Sequence, residues 1–244
     1  MIFATSDIHG YPLDSFLRLL EKAGFSPCDR LYVIGDVIDR NGDGGAAMLR
    51  WMMRQENVTL IRGNHEAMML DCDFVFSAGV DLANLRKLSL EQEHAVLHWH
   101  RNGCLPTIRS LLTLKEKDPE ELAKLLDYVR SAPLYMELAL PMKRFVLVHG
   151  GLKDFAPEKG LDEYDNLDLV WTRPAPEERY WEDRLVILGH TPVQYYGGNG
   201  RMLVTDTWVD IDTGAACGGS PMLLRLDDMR PFYTDGDETE EGED

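Results

Sequence analysis

Five short apolar segments of the chain end in the same way, and this repetition constrains the fold more than any other feature. Each is followed by glycine together with aspartate, histidine or asparagine. The segments are 2–5, 31–34, 58–61, 145–148 and 185–188, and they lead into SDIHG, GDVIDR, RGNHE, HGG and GHT. Short apolar runs bounded by glycine are typical of buried β-strands. In open α/β sheets ligands bind beyond the carboxyl ends of the strands, so we expect the five ends to meet at one site.

Taken singly, these motifs carry little information. GD or GH after a strand is more often a turn than a site, and a lone Asp-x-His is equally weak. The four polar side chains of RGNHE, however, cannot all be absorbed by a core without partners. The recurrence at five strand ends therefore predicts a binding site and not five turns.

The first third of the chain predicts a mostly parallel sheet covered by helices. The strand at 2–5 leads into a helix that begins after Pro12 and stops at Gly24, and the strand at 31–34 leads into a helix at 46–54. This alternation is typical of α/β folds. Residues 65–132 are predicted to be mainly helical. Their clearest helix is DPEELAKLLDYVR, in which Asp118 suits the N-cap and Pro119 the first turn.

The last third returns to strands, which are predicted at 145–148, 185–188, 202–205, 208–211 and 222–226. Because no long helices separate the later strands, a second, more antiparallel sheet is expected. One α/β domain with two sheets, residues 1–234, fits better than two domains. The last ten residues, DGDETEEGED, are predicted to form a solvated acidic tail without structure at 235–244.

Composition narrows the function classes. The 244 residues carry a formal net charge of −17, which argues against sequence-independent binding to nucleic acid or to an anionic membrane. The four cysteines form no CxxC pair and are expected to be reduced thiols. The sequence shows no signal peptide and no segment of transmembrane length, so a cytoplasmic location is expected.

The polar residues at the strand ends form a mixed oxygen and nitrogen ligand set. They are Asp7, His9, Asp36, Asn64, His149 and His190. Without a thiolate, this set suits Mn²⁺, Fe or Zn²⁺ in a catalytic site better than a structural zinc. Six ligands are too many for one catalytic ion that keeps open positions, whereas two ions bridged by one carboxylate would use them all. Asp36 is the natural bridge.

The motifs resemble a known family in order and spacing. Asp7-x-His9, Gly35-Asp36-x-x-Asp39-Arg40, Gly63-Asn64-His65-Glu66, His149-Gly150 and Gly189-His190 resemble the signature of the phosphoprotein phosphatase superfamily of calcineurin-like metallophosphoesterases. HWHRNGC, VWTRP and DIDTGAACGG are most similar to segments of the short bacterial and phage serine/threonine protein phosphatases. The resemblance implies a two-sheet αββα sandwich, two divalent ions (Mn²⁺ in most bacterial members) and direct hydrolysis by a metal-bound water.

Roles can be assigned to the remaining polar residues. His65 is not required as a ligand and is the best general acid, and Asp39 would orient its imidazole, a pairing that the resemblance also implies. Guanidinium groups suit phosphate oxygens, so Arg40 and Arg62, which flank ligands, are expected to bind the substrate phosphate.

Four further assignments complete the predicted site. Arg173 in WTRP is given a phosphate-binding role mainly by the resemblance, and Asn64 is expected to contact the phosphate as well. Glu66 is expected to anchor its loop. Asn41 stands where the family has a glycine after the Asp-Arg pair, and asparagine can adopt a positive φ there.

The pattern predicts a hydrolase of phosphorylated serine or threonine in proteins, with phosphotyrosine as a further substrate. A symmetrical dinucleoside-tetraphosphate hydrolase shares the same metal motifs and is the alternative enzyme. A catalytically silent phosphoprotein-binding module is the alternative from another class.

His94 and His98 are four residues apart on a predicted helix but lack the glutamate of HExxH, so a zinc site there is not expected. The physiological substrate and oligomeric state stay open.

Overall fold

The computed structural model describes residues 1–77, 88–141 and 143–234, and the tail predicted at 235–244 lies outside this part of the chain. The first half contains β1 (Ile2–Thr5), α1 (Leu13–Lys22), β2 (Arg30–Ile34), α2 (Ala46–Met52), β3 (Val58–Ile61), α3 (Asn64–Asp71), α4 (Leu90–Arg101), α5 (Leu105–Lys117) and α6 (Pro119–Ser131). The second half contains β4 (Tyr135–Ala139), β5 (Arg144–Val148), α7 (Asn166–Trp171), β6 (Arg184–Leu188), β7 (Leu203–Val204), β8 (Trp208–Asp210), β9 (Leu223–Arg225) and β10 (Arg230–Phe232).

The strands form two five-stranded sheets. The first sheet has the order β10-β9-β1-β2-β3 and the second has the order β4-β5-β6-β8-β7. In the first sheet β1 is parallel to β2 and β2 to β3, while β9 and β10 are antiparallel. In the second, β5 is parallel to β6 and β6 to β8, while the edge strands β4 and β7 are antiparallel.

The expectation of a more antiparallel second sheet was therefore wrong. Both sheets contain two parallel and two antiparallel pairs. The connections between the parallel strands of the second sheet run through loops and the short helix α7, so no long helix marks them in the sequence. The strand predicted at 222–226 also joins the first sheet, where Phe3 faces Arg225 across the β1–β9 pair.

Strict alternation along the strands separates three cores and produces the αββα layers. Along β2, Leu31 and Val33 pack with helices α1–α6, whereas Tyr32 and Ile34 pack between the two sheets. Along the second sheet, Phe145 and Leu147 of β5 face the space between the sheets. The opposite face packs against α7 and neighbouring loops through residues such as Trp208. The period-two burial of each strand thus stacks helices, sheet, sheet and helices as the resemblance implied.

The residues that were predicted to begin α6 and to end α1 do so in the structure. The Asp118 side chain accepts a hydrogen bond from the backbone N–H of Glu121 (2.9 Å) and begins α6. Gly24 adopts φ 71° directly after the end of α1. Within the described ranges, no helix has the length and apolar character needed to cross a membrane.

Candidate active site

The six predicted ligands converge at the shared edge of the two sheets. Asp7 and His9 follow β1, Asp36 follows β2 and Asn64 follows β3, while His149 and His190 follow β5 and β6 of the second sheet. His9 Nε2 lies 3.7 Å from Asp7 Oδ1 and 3.6 Å from Asp36 Oδ2. His149 Nε2 lies 3.3 Å from Asp36 Oδ1. The Asn64 Oδ1 atom lies 2.9 Å from His149 Nε2 and 3.0 Å from His190 Nδ1. All six side chains are buried.

Backbone strain is concentrated at this edge. Eight non-glycine residues of the described chain have positive φ, and six of them are predicted site residues: Asp7, His9, Asp36, Asp39, Arg40 and His190. Such conformations persist only where the surrounding structure enforces them, and they cluster at functional sites. Glycines provide the space, because a Cβ on Gly63 would lie 2.3 Å from Asp36 Oδ1 and one on Gly189 would lie 2.2 Å from Asp7 Oδ2.

Backbone carbonyls orient two of the imidazoles. His9 Nδ1 is 3.0 Å from the carbonyl oxygen of Ile38, and His149 Nδ1 is 2.8 Å from that of Ile34. Since the carbonyl accepts a hydrogen bond from the Nδ1–H group, Nε2 is left directed at the carboxylates. Glu66 fixes the neighbouring loop, because its carboxylate accepts the backbone N–H groups of Asp36 (2.8 Å), Val37 (2.8 Å) and Gly63 (3.0 Å).

The carboxylates of the site favour the cationic form of two of the three predicted ligand histidines. Burial alone would lower the pKa of His149, but the carboxylates of Asp36 and Asp7 raise it to about 10. Burial likewise opposes the shift at His9, whose pKa the carboxylates of Asp7 and Asp36 raise to about 9. In contrast, burial and the neighbouring His149 lower the pKa of His190 to about 4. Without a metal, the imidazoles of His9 and His149 are therefore protonated, and their protons lie between the rings and the neighbouring carboxylates.

The donor set fits divalent metal ions. The described residues contain two groups whose ligand atoms lie within 4.8 Å of one another inside each group. One is formed by His9, Asp36 and His65, and the other by Asp36, His149 and His190. Asp36 belongs to both groups, which suits the predicted bridging carboxylate. Among the described residues, His190 Nε2 is buried without a hydrogen-bond partner, so no protein group there competes with a metal for this nitrogen.

Residues 1–213 match the family model of the calcineurin-like phosphoesterases. The chain belongs to the calcineurin-like phosphoesterase family. This metallophosphoesterase is thus a hydrolase of a family that uses divalent metals, and its family and fold were predicted correctly from the sequence.

Relatives of this phosphoesterase include two named activities. It is 27% identical over 198 residues to the symmetrical bis(5'-nucleosyl)-tetraphosphatase of Methylobacillus flagellatus, covering 80% of this chain and 58% of the relative. It is 35% identical over 71 residues to serine/threonine-protein phosphatase 1 of Salmonella typhimurium, covering 29% of this chain and 32% of the relative. The match thus spans less than two thirds of either curated relative. The crystal structure of a candidate diadenosine tetraphosphatase shares the fold, with a TM-score of 0.60, 15% identity and coverage of 94% and 90%.

An open cleft of about 460 Å³ lies over the ligand set. His65 and Asn64 reach it from α3, and the exposed Arg40 and Arg173 lie on its rim. His65 Nδ1 is 2.6 Å from Asp39 Oδ2, and its Nε2 is 3.7 Å from Asp36 Oδ2. The structure therefore brings the predicted acid pair, the predicted metal ligands and two of the three predicted arginines together.

Arg62 does not reach the cleft, so its predicted contact with the phosphate needs correction. Its guanidinium Nη2 donates hydrogen bonds to the carbonyl oxygens of Arg130 (2.7 Å) and Ala132 (2.9 Å) at the end of α6. A helix end carries partial negative charge and unpaired carbonyls, which attract a cation. Arg62 therefore joins α6 to the loop after β3.

Asn41 needs no positive φ, contrary to the expectation for a glycine position. The left-handed conformations of this loop fall on Asp39 (φ 74°), Arg40 (φ 68°) and Gly42 (φ 52°). The Asn41 side-chain amide instead donates a hydrogen bond to the carbonyl oxygen of Ala215 (3.0 Å), which ties the loop to the segment after β8.

Asp212 is a site residue that the sequence analysis missed. It is 1% exposed, lines the cleft and follows β8, and its Oδ1 accepts the backbone N–H of Gly214 (2.9 Å). Burial and the Asp7 carboxylate raise its pKa well above the ordinary value. IDTG after β8 repeats the pattern of an apolar strand followed by aspartate and glycine, so the same rule applied to a sixth strand would have found it.

His94 and His98 join neither group of metal-ligand atoms in the described residues. The His98 ring stacks on Trp171, with ring centroids 5.5 Å apart and planes inclined by 25°. Trp171 in turn lines the cleft and meets the ring of His190 edge-on at 5.6 Å. His98 thus supports one wall of the cleft.

Proposed function

We propose that this phosphoesterase hydrolyses the phosphate monoesters of serine and threonine in proteins, with phosphotyrosine as a further substrate. The observation that carries the proposal is the buried Asp39–His65 pair, 2.6 Å apart, whose imidazole faces the ligand set. A serine or threonine alkoxide is a poor leaving group and needs a proton as the P–O bond breaks. A positioned general acid is worth most for such a substrate.

The other residues of the site would bind the metal ions and the substrate phosphate. Asp7, His9, Asp36, Asn64, His149 and His190 would hold two divalent ions, for which we propose Mn²⁺. When bound, such ions supply positive charge to the phosphoryl oxygens and make water acidic enough to attack at neutral pH. Arg40 and Arg173 stand at the cleft rim, where they would bind phosphate oxygens through paired hydrogen bonds, together with the Asn64 amide.

The second candidate is symmetrical hydrolysis of dinucleoside tetraphosphates. The name of the Methylobacillus relative supports it, and so do the aromatic side chains of Trp171 and Tyr195 in the cleft lining, which could stack on a nucleobase. This reaction expels a nucleotide phosphate, which leaves as a stable anion, so it depends less on a proton donor.

The first experiment removes metals with a chelator, restores Mn²⁺ and compares turnover of a phosphothreonine peptide with that of diadenosine tetraphosphate. Faster peptide turnover that is lost again on chelation is expected. Faster cleavage of the dinucleotide would overturn the protein phosphatase proposal in favour of the second candidate.

The acid is tested separately with His65→Asn, using the exposed His94→Asn on α4 as the matched control. We expect His65→Asn to lower turnover of the phosphothreonine peptide by about 10²- to 10⁴-fold. Turnover of p-nitrophenyl phosphate, whose leaving group is a stable anion, should fall much less. Equal losses on both substrates would contradict the role of His65 as a proton donor.

A further inference from the structure

The hairpin formed by α4 and α5 contacts the acid pair through two buried side chains. Trp99 Nε1 on α4 donates a hydrogen bond to Asp39 Oδ2 (2.7 Å), and Thr107 Oγ1 on α5 donates one to Asp39 Oδ1 (2.5 Å). His65 Nδ1 is the third donor to the same carboxylate, at 2.6 Å. Asp39, Trp99 and Thr107 are each 0% exposed. Each oxygen of the Asp39 carboxylate is therefore held by a side chain of the α4–α5 hairpin, which is separate from the loops after the strands.

The backbones of the hairpin and the loop are joined as well. The Asp39 N–H donates to Thr107 Oγ1 (3.0 Å), so one hydroxyl binds both the main chain and the side chain of Asp39. The Arg40 N–H donates to the carbonyl oxygen of Gly103, between α4 and α5 (3.0 Å). The approach is close enough that a Cβ on Gly44 would lie 2.2 Å from the Thr107 nitrogen. Small movements of the hairpin would thus move Asp39.

Packing alone does not require these residue types. Trp99 lies in the helical core beside Phe76, and α5 is buried along Leu111 and Leu114. Valine would fill the volume of Thr107, and phenylalanine most of that of Trp99, with fewer polar atoms to satisfy in the core. The indole N–H and the hydroxyl both bind one carboxylate, which is the partner of the proposed acid. Buried donors matched to one acceptor in this way hold it in a single position.

We propose that Trp99 and Thr107 are positioning residues for proton donation. They fix Asp39 so that it holds His65 Nδ1 and directs His65 Nε2 into the cleft. The inference rests on the proposed function, in which His65 protonates the leaving alkoxide. Neither residue lines the cleft, so both act through Asp39 and not on the substrate.

The test uses Thr107→Val, which removes only the hydroxyl function, and Trp99→Phe, which removes the indole N–H. Thr107→Ser keeps the hydroxyl and is the conservative variant. Thr113→Val on the exposed side of α5 and Trp51→Phe, a half-buried residue on α2, are the matched controls. Each variant is loaded with Mn²⁺ as full-length protein, its folding is checked by circular dichroism and its Mn²⁺ affinity is measured by calorimetry.

We expect kcat for the phosphothreonine peptide to fall about 10- to 100-fold in Thr107→Val and in Trp99→Phe, because the acid is misplaced. KM, Mn²⁺ affinity and turnover of p-nitrophenyl phosphate should stay within about 3-fold of wild type, since none of them needs the proton. Thr107→Ser should restore the peptide activity, and the two controls should leave it unchanged.

The competing outcomes are separable. Equal losses on both substrates, or weakened Mn²⁺ binding, would assign the hairpin to general support of the site and overturn the inference. Peptide turnover that is normal in Thr107→Val but lost in His65→Asn would overturn this inference alone. A wild-type protein that cleaves p-nitrophenyl phosphate but not the peptide would overturn the proposed function instead.

Discussion

The carboxylate of Glu66 accepts the backbone N–H of Asp36 at 2.8 Å, so a side chain that is not itself a ligand fixes the loop of the shared carboxylate. The same carboxylate also accepts the N–H groups of Val37 and Gly63. With the more distant N–H of Ile38 (3.4 Å), four donors therefore converge on one fully buried acceptor. This contact set fixes the backbone of the loops that carry Asp36 and Asn64, two of the proposed ligands.

Replacing Glu66 with glutamine should weaken metal binding and folding together. The amide would turn an N–H group towards backbone N–H groups and leave donors unpaired. We expect Mn²⁺ affinity to fall about 10- to 100-fold and the free energy of unfolding to fall by about 1–3 kcal/mol. Calorimetry and urea unfolding measure the two effects, with the exposed Glu116→Gln as control. Wild-type metal affinity in Glu66→Gln would contradict the anchoring role.

Metal binding should release protons at neutral pH. The pKa values of His149 (about 10) and His9 (about 9) lie above the ordinary value, so both imidazoles are protonated in the metal-free protein at pH 7. Loading Mn²⁺ should expel on the order of two protons, because the metal needs the neutral imidazole. Calorimetry in two buffers of different ionisation enthalpy counts them, and a heat independent of the buffer would contradict the prediction.

The same raised values set the pH dependence of the metal-free protein. A raised imidazole pKa contributes stability that is complete below the unfolded value near 6.5 and is lost as pH rises through the folded value. From His9 and His149 we expect the melting temperature of chelated protein to fall between pH 6.5 and about 10. Protein with Mn²⁺ should lose less over this range, because the metal replaces the protons.

Substitution should distinguish Arg40 and Arg173, which are proposed to bind the substrate phosphate, from Arg62, which binds the end of α6. Arg173→Ala should raise KM for a phosphorylated substrate about 10- to 100-fold, the loss expected for a charged hydrogen bond at the cleft rim. Arg62→Ala should leave KM unchanged and lower the free energy of unfolding by about 1–3 kcal/mol, because it unties the end of α6. Arg40→Ala is expected to follow Arg173→Ala. A raised KM in Arg62→Ala would show that the guanidinium leaves α6 when substrate binds.

Asp212→Asn should stabilise the metal-free protein. Burial and the Asp7 carboxylate raise the pKa of Asp212, so its ionisation opposes folding increasingly as pH rises above the unfolded value near 4. Asparagine keeps an oxygen for the Gly214 N–H and removes the charge. We expect a gain of about 1 kcal/mol at pH 8, or roughly 2–4 °C in melting temperature, and a smaller gain at pH 5. The exposed Asp206→Asn is the control.

The predictions that succeeded are those that local chemistry decides. The strand bounds of β1 and β3 follow from the apolar runs alone, and the convergence of the residues after the strands follows because a parallel strand delivers its next residues to a known edge of the sheet. The pairing of His65 with Asp39 was predicted from adjacency to a ligand and from the resemblance, and the structure places the two side chains in contact.

The predictions that failed depend on contacts between distant parts of the chain. Arg62 was expected in the cleft because it precedes a ligand, but its partners lie 68 and 70 residues later. Trp99 was not recognised, since its contact with Asp39 spans 60 residues and depends on how a helix packs over a loop. The pairing of β9 with β1 likewise joins the two ends of the chain, which periodicity does not record.

The ligands are divided between the two sheets, which touch one another through an apolar layer that contains Ala4, Ile34, Leu147 and Ile187. A divalent ion held by Asp36 from one sheet and His149 from the other would join the two sheets across that layer. Sliding of one sheet over the other by a fraction of an ångström would alter the ligand distances before any strand separates. Metal affinity should therefore depend strongly on how well the inter-sheet layer is packed. A larger side chain at Ala4 should lower the metal affinity measurably before it lowers the melting temperature.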